Sequence, residues 1–159
     1  MNITIIAVGK IKEKFYTEAI KEYSKRLSRY CSLKIIEVED EKTPDKASEA
    51  LNAAIMKKEA EGISKHIPKD SYIISLAVEG KKYDSVGFAS HIQRLGINGH
   101  SNLVFIIGGS LGIDEALKND SAELISFSDM TFPHQLMRVI LLEQVYRCFR
   151  IINNEPYHK

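Results

Sequence analysis

Three short segments carry residue types suited to gripping a small molecule: Ser75-Leu76-Ala77-Val78-Glu79-Gly80, Ile106-Ile107-Gly108-Gly109-Ser110-Leu111-Gly112 and Phe127-Ser128-Asp129-Met130-Thr131-Phe132-Pro133. Each starts at the end of a run rich in β-branched or aromatic residues. In an open parallel sheet, ligands bind beyond the carboxyl ends of the strands, where glycine lets backbone N–H groups come close. The glycine segment has neither the spacing of a dinucleotide fingerprint nor the Lys-Ser/Thr of a P-loop, so neither ligand class has a motif behind it. Taken alone, such a turn is as readily structural. A second group of residues lies after Pro133, where Arg138, Arg147 and Arg150 are interleaved with Leu136, Val139, Ile140, Leu141, Leu142, Val145, Phe149 and Ile152. Arginines in that setting either run their stems along apolar surface to reach water or aim at an anion. The last six residues, Asn154-Glu155-Pro156-Tyr157-His158-Lys159, have the make-up of an end that ordinarily frays.

Alternating strands and helices must position these segments. Asn2 to Val8 reads as a buried strand closed by Gly9. Phe15, Ala19, Ile20, Tyr23, Leu27 and Tyr30 mark a helix from Lys14 to Tyr30, and Leu33 to Val38 a second strand. Thr43 and Pro44 supply an N-cap and a first-turn proline for a helix running to about Ser64, lined by Ala47, Leu51, Ala54 and Ile55. Tyr72 to Val78 is a third strand, followed by a helix capped at Asp84 or Ser85. Leu103 to Ile107 is the fourth strand, and a short helix spans Asp114 to Lys118. The fifth strand is Glu123 to Phe127, and a final helix runs from Pro133 to Ile152. This alternation predicts an α/β fold, a largely parallel sheet with helices on both faces, because each crossover lays its helix back on the sheet. No linker or repeat divides residues 1–159, so one domain is expected. The final helix is apolar over more than one stripe, which suggests burial against a partner as well as its own sheet, or else a central core position.

The totals narrow the function classes. A chain of 159 residues with 44% hydrophobic and 27% charged residues has the composition of a soluble globular protein. With no eighteen-residue apolar run and charge close behind the first strand, neither a membrane span nor a secretory signal is expected, and the predicted location is cytoplasmic. Cys31 and Cys148 are far apart with no Cys or His cluster, which argues for packing rather than a metal or a disulfide. A net charge of +1 excludes a polycation. Locally, Lys10 to Lys34 holds eight basic residues against three acids, a stretch that is either solvated surface or steers a phosphate backbone. His66, His91 and His100 read as surface residues without a catalytic part.

Leu76, Ile107-Gly108-Gly109 with Gly112, Phe127 to Phe132 before Pro133-His134, Arg138, Tyr146-Arg147, the terminal Asn154 to Lys159 and the opening Ile5 to Lys10 occur in an order that resembles the RlmH family. These are SPOUT-class methyltransferases acting on N3 of a pseudouridine in 23S ribosomal RNA of the large subunit. The resemblance covers nearly the whole chain. It implies a C-terminal trefoil knot, a homodimer and S-adenosyl-L-methionine as methyl donor, with no metal. Cofactor contacts would come from Leu76, Gly108, Phe127, Ser128, Asp129, Met130, Thr131 and Phe132. The family's tail lines the partner's pocket, which makes His158 the candidate proton acceptor and Tyr157 a residue that orients or stacks on the base. Arg138 and Arg147 are then candidates to stabilise the developing imidate. His134 would shape the cofactor loop rather than act as a base. Lys159 stands where relatives often carry arginine, which keeps the charge and loses the planar fork. The substrate would be ribosomal RNA, in the assembled ribosome if local basic patches are too small to bind naked RNA.

Two readings compete. A non-catalytic α/β module could hold a nucleotide phosphate at the Gly108 loop, and a ribosome-assembly factor could bind RNA through the Lys10 to Lys34 helix without a cofactor. Specific binding of S-adenosylmethionine, weakened by a bulky residue at 108, separates the enzyme from both.

Overall fold

A computed structural model describes residues 1–157 of the chain. It opens with β1 (Asn2–Val8), a run of isoleucine and valine that can be buried on both faces because parallel strands are covered on both sides. Alternate side chains divide between two cores. Ile3, Ile5 and Ala7 enter one, with Leu103, Phe105 and Ile107; Ile6 and Val8 enter the other, with Val104 and Ile106.

Around β1 stand α1 (Lys14–Leu27), β2 (Ser32–Val38), α2 (Glu49–Ser64), β3 (Tyr72–Lys82), α3 (Ser85–Ile97), β4 (Asn102–Ile107), α4 (Glu115–Asp120), β5 (Glu123–Ser126) and α5 (His134–Ile152). The five strands lie in the order β2-β1-β4-β3-β5, and every pairing is parallel. Helices α1, α3 and α5 cover one face through Leu27, Phe88, Ile92, Leu141 and Val145. On the other face α2 and α4 contribute Ala60, Ile63 and Leu117. The expected α/β layering with a largely parallel sheet is therefore present.

Two boundaries differ from expectation by four residues or more. The second helix begins at Glu49 rather than near Pro44, because the Ser48 side chain accepts from Leu51 N at 3.2 Å and so caps it. Pro44 instead opens a turn closed by Ala47 N on its carbonyl at 3.2 Å. The third strand continues past Val78 to Lys82: both Leu76 and Lys81 pair with Ile125, so the residues between them bulge out of the ladder. That bulge is a wall of the site described next.

Much of α5's apolar surplus goes into the protein's own core. The helix is packed against both α1 and α3, burying Leu141, Leu142, Val145, Cys148 and Phe149, while Leu136, Val139 and Ile140 stay half-exposed. Cys31 and Cys148 are free thiols, and burial pushes the latter up to about 12.

Candidate ligand site and the tail cluster

A cavity of about 520 Å³ opens at the carboxyl ends of β3, β4 and β5. Three loops wall it: the bulge of β3, the glycine segment after β4 and residues 127–133 after β5. The glycine segment folds back on itself through a bridge between Gly109 and Gly112, with Gly112 at φ +90. A Cβ on Gly108 would sit 2.6 Å from the Gly112 carbonyl oxygen, so only glycine fits and its backbone stays bare toward the cavity. In the third loop the Ser126 hydroxyl donates to Ser128 O at 3.1 Å, and the Ser128 hydroxyl accepts from Met130 N at 2.9 Å. These bonds set a tight turn that leaves Met130 74% exposed at the rim.

Of the residues expected to contact a cofactor, Leu76, Gly108, Phe127, Ser128, Met130, Thr131 and Phe132 all line this cavity. Asp129 does not: its side chain points outward, 80% exposed, and pairs with Lys82 at 2.5 Å. Ala77, Val78, Ser110 and Met137 also line it and were missed. Ser110 sits in the glycine segment and Ala77 and Val78 before Gly80, so the strand ends themselves were the signal. Phe127 and Phe132 separate this space from a second one of about 470 Å³ beside Tyr83, Phe88, Ile140 and Gln144.

His134 also lines the cavity. Its Nε2 would be 3.1 Å from a Cβ on Gly9, so it closes the end of β1. Burial, and then the charge of Arg138, lower its pKa below the usual histidine value. His91 is not a surface residue: it bonds Glu123 at 2.5 Å, stacks on Tyr83 and joins α3 to β5.

Arg138 is 1% exposed. It donates to Glu37 Oε1 at 2.8 Å, to Val8 O at 2.9 Å and to Gly9 O at 2.6 Å. The guanidinium therefore ties α5 to the carboxyl ends of β1 and β2, satisfying carbonyls at the point where the strand stops pairing.

Arg147 and Tyr157 belong to a cluster at the far end of α5. Arg147 donates to Glu143 Oε1 from Nη2 at 2.6 Å and from Nε at 3.0 Å. Its guanidinium lies 4.6 Å from the Tyr157 ring centroid. The Tyr157 hydroxyl donates to Glu143 at 3.2 Å and its ring meets Tyr146 edge-on. Burial, and then the Glu143 charge, push that phenol up to about 12, so it stays a donor. Behind it, Tyr30 and Arg150 hold Glu155, and Arg150 Nη2 donates to Pro156 O at 3.0 Å. His158 and Lys159 lie outside the described residues. Met137 borders the cavity and Arg147 lies ten residues further along α5, ~15 Å at the helical rise. Within one chain the cavity and the tail cluster are thus separate.

A parallel α/β sheet with its cavity at the strand ends, walled by a glycine segment and by a loop leading into the last helix, defines a small-molecule-binding α/β protein. The chain belongs to the SPOUT methyltransferases: the family described as "Predicted SPOUT methyltransferase" matches residues 1–158. Over the full length of both chains it is 60% identical to the putative ribosomal RNA large subunit methyltransferase H of Methanococcus maripaludis. It is 57% identical to the ribosomal RNA large subunit methyltransferase H of Bifidobacterium adolescentis, again over all of both chains. In fold it is similar to a probable methylase family protein from Haemophilus influenzae, at 12% identity and a TM-score of 0.57, covering 99% of this chain and 70% of the other.

Proposed function

We propose that this protein methylates ribosomal RNA of the large subunit at N3 of a pseudouridine, using S-adenosyl-L-methionine and working as a cytoplasmic homodimer. The observation that carries the reading is the cavity at the ends of β3, β4 and β5, in a chain with full-length relatives named for large-subunit RNA methylation. The threaded C-terminal loop of the family belongs to the same proposal. It is supported by the close approach of β3 and β5 there, where a Cβ on Gly80 would lie 2.6 Å from the backbone of Ile125.

The cavity residues fit a methyl donor. The cavity's volume is in the range of small-molecule sites, and Gly108, where a Cβ would collide with the Gly112 backbone, lines it with backbone alone. Bound there, S-adenosylmethionine would supply a methyl group on a positively charged sulfonium. Gly108 would hold it through the backbone, and Leu76, Phe127 and Phe132 would enclose it and exclude water.

The tail supplies the acid–base part. His158 would take the imide proton from the base nitrogen, whose electron pair would then form the bond to the methyl carbon as the carbon–sulfur bond breaks and its pair stays on sulfur. Arg147 faces the charge that develops on the carbonyl oxygens, and Tyr157 orients the base. Because Arg138 is buried and both of its terminal nitrogens donate to Glu37, Val8 and Gly9, we give it the placing of α5 rather than contact with the imidate. The tail of one subunit would serve the cavity of the other.

Incubating labelled S-adenosylmethionine with ribosomes from a strain lacking the protein, then mapping the modified nucleoside, tests the activity. Label on a large-subunit pseudouridine is expected, and none on RNA refutes it. By calorimetry the wild-type protein should bind the donor specifically, and Gly108→Val should weaken binding at least about tenfold. Preference for a nucleotide over S-adenosylmethionine would favour the binding-module reading instead.

A further inference from the structure

Behind the glycine segment, on the side away from the cavity, lies a carboxyl group for which the mechanism has no use. Glu59, on α2, is 5% exposed although it is ionisable. A Cβ on Gly109 would be 3.0 Å from Glu59 Oε2 and 3.2 Å from Oε1, so the carboxyl lies flat against the Cα of Gly109. Gly109 lines the cavity with its other side. One residue's thickness therefore separates Glu59 from whatever the cavity holds. On its far side Glu59 Oε1 accepts from Glu41 N at 3.2 Å, which ties α2 to the connection following β2. The carboxyl is thus a wedge with two fixed neighbours, and its rigid seat is the floor on which the glycine segment rests.

A core helix normally offers alanine or leucine at such a position, and burying an acid costs stability unless it is hydrogen-bonded or paired. We propose that Glu59 is a positioning residue of the donor site: wedged between the β2–α2 connection and Gly109, it sets how far the glycine segment projects into the cavity. This rests on the reading of that cavity as the methyl-donor site. Glu59 touches neither donor nor base and acts through the Gly108–Gly109 backbone alone.

Its surroundings give the wedge a proton dependence. Burial raises the Glu59 carboxyl to about 7, with the charges of Asp40 and Glu41 adding to the rise. The Asp40 carboxyl is within hydrogen-bonding reach of Glu59, which favours the protonated Glu59 below that pH. Above it Glu59 is ionised while held flat against Gly109, and the segment is pushed from its seat. The other charged groups nearby are Lys58, paired with Glu41 at 2.9 Å, and His134, which faces Asp40 from the start of α5. Affinity for the donor should therefore fall as pH rises through about 7.

Calorimetry with S-adenosylmethionine on the full-length protein at pH 6 and pH 8 tests this, using wild type, Glu59→Gln and Glu59→Ala. Glu59→Gln keeps the shape and cannot ionise: it should bind within about twofold of wild type at pH 6 and show no fall at pH 8, while wild type weakens at least about threefold. Glu59→Ala removes the wedge and should weaken binding about tenfold at both pH values. Amide exchange over residues 108–112 in the ligand-free protein gives a readout independent of the donor: Glu59→Ala should speed it, and Glu59→Gln should leave it unchanged at pH 6. A His134 origin of the pH effect would persist in Glu59→Gln and would overturn the proposal, as would unchanged exchange in Glu59→Ala. Absence of any donor binding by wild type would refute the proposed cofactor, leaving the exchange experiment to decide the role of Glu59.

Discussion

At the scale of single residues, type and order along the chain were enough to find the cavity wall but not to say where each side chain points. Asp129 shows the limit: it lies among residues that all line the cavity, yet Lys82 draws its carboxylate out to solvent. Arg138 shows another. A lone arginine on an apolar helix has two readings from sequence, and only its partners, 101 to 130 positions earlier, decide between them. The structure makes it a buried tie, and removing one partner of such a tie leaves an uncompensated charge and two carbonyls without donors. Arg138→Met should therefore lower the unfolding free energy by ~3 kcal/mol at fixed protein concentration. Glu37→Gln should cost less, since Glu37 keeps contact with water and the amide oxygen still accepts from Ile11 N. Denaturant titration of both single variants and the double variant gives the coupling between them. A midpoint for Arg138→Met equal to that of wild type would show that the tie does not hold α5 in place.

Elements were more legible than residues, because periodicity is local. The strand at Asn2–Val8 and the helix ending at Ile152 are where the hydrophobic pattern put them. The start of α2 was displaced because two capping signals compete within six residues, and Ser48, whose hydroxyl reaches the third residue on, wins over Thr43. Beyond Val78 the alternation in β3 breaks, and what restores the strand is the pairing of Lys81 with Ile125, a distant partner that no local pattern contains. That long-range pairing brings β3 and β5 so close at Gly80 that a Cβ there would meet backbone atoms of Leu124 and Ile125 at 2.6 Å. Backbone cannot move aside as a flexible side chain can. Gly80→Ala should consequently cost on the order of 2–3 kcal/mol, and amide exchange should rise first in β5, the edge strand. If exchange in β5 were unchanged and stability preserved, the strands must have room that the bulge does not show.

For the whole molecule, alternation of strands and helices was sufficient to give the layers, since a parallel sheet leaves few ways to place its crossovers. A composite site cannot be read in that way, because a single sequence carries no sign of which copy supplies which part. The separation of ~15 Å along α5 between the cavity at Met137 and the cluster at Arg147 is the observation behind the proposed dimer. Mixing two inactive variants tests it. Gly108→Val disables the cavity and His158→Ala the tail, and each alone should show little methyl transfer to ribosomes. Once subunits have been exchanged by unfolding and refolding an equimolar mixture, half of the dimers carry one of each. If the tail of one subunit serves the cavity of the other, every mixed dimer has one intact site and the mixture should regain about a quarter of wild-type turnover. Were cavity and tail to work within one chain, no mixed dimer would hold an intact pair, and activity would stay at the level of the separate variants.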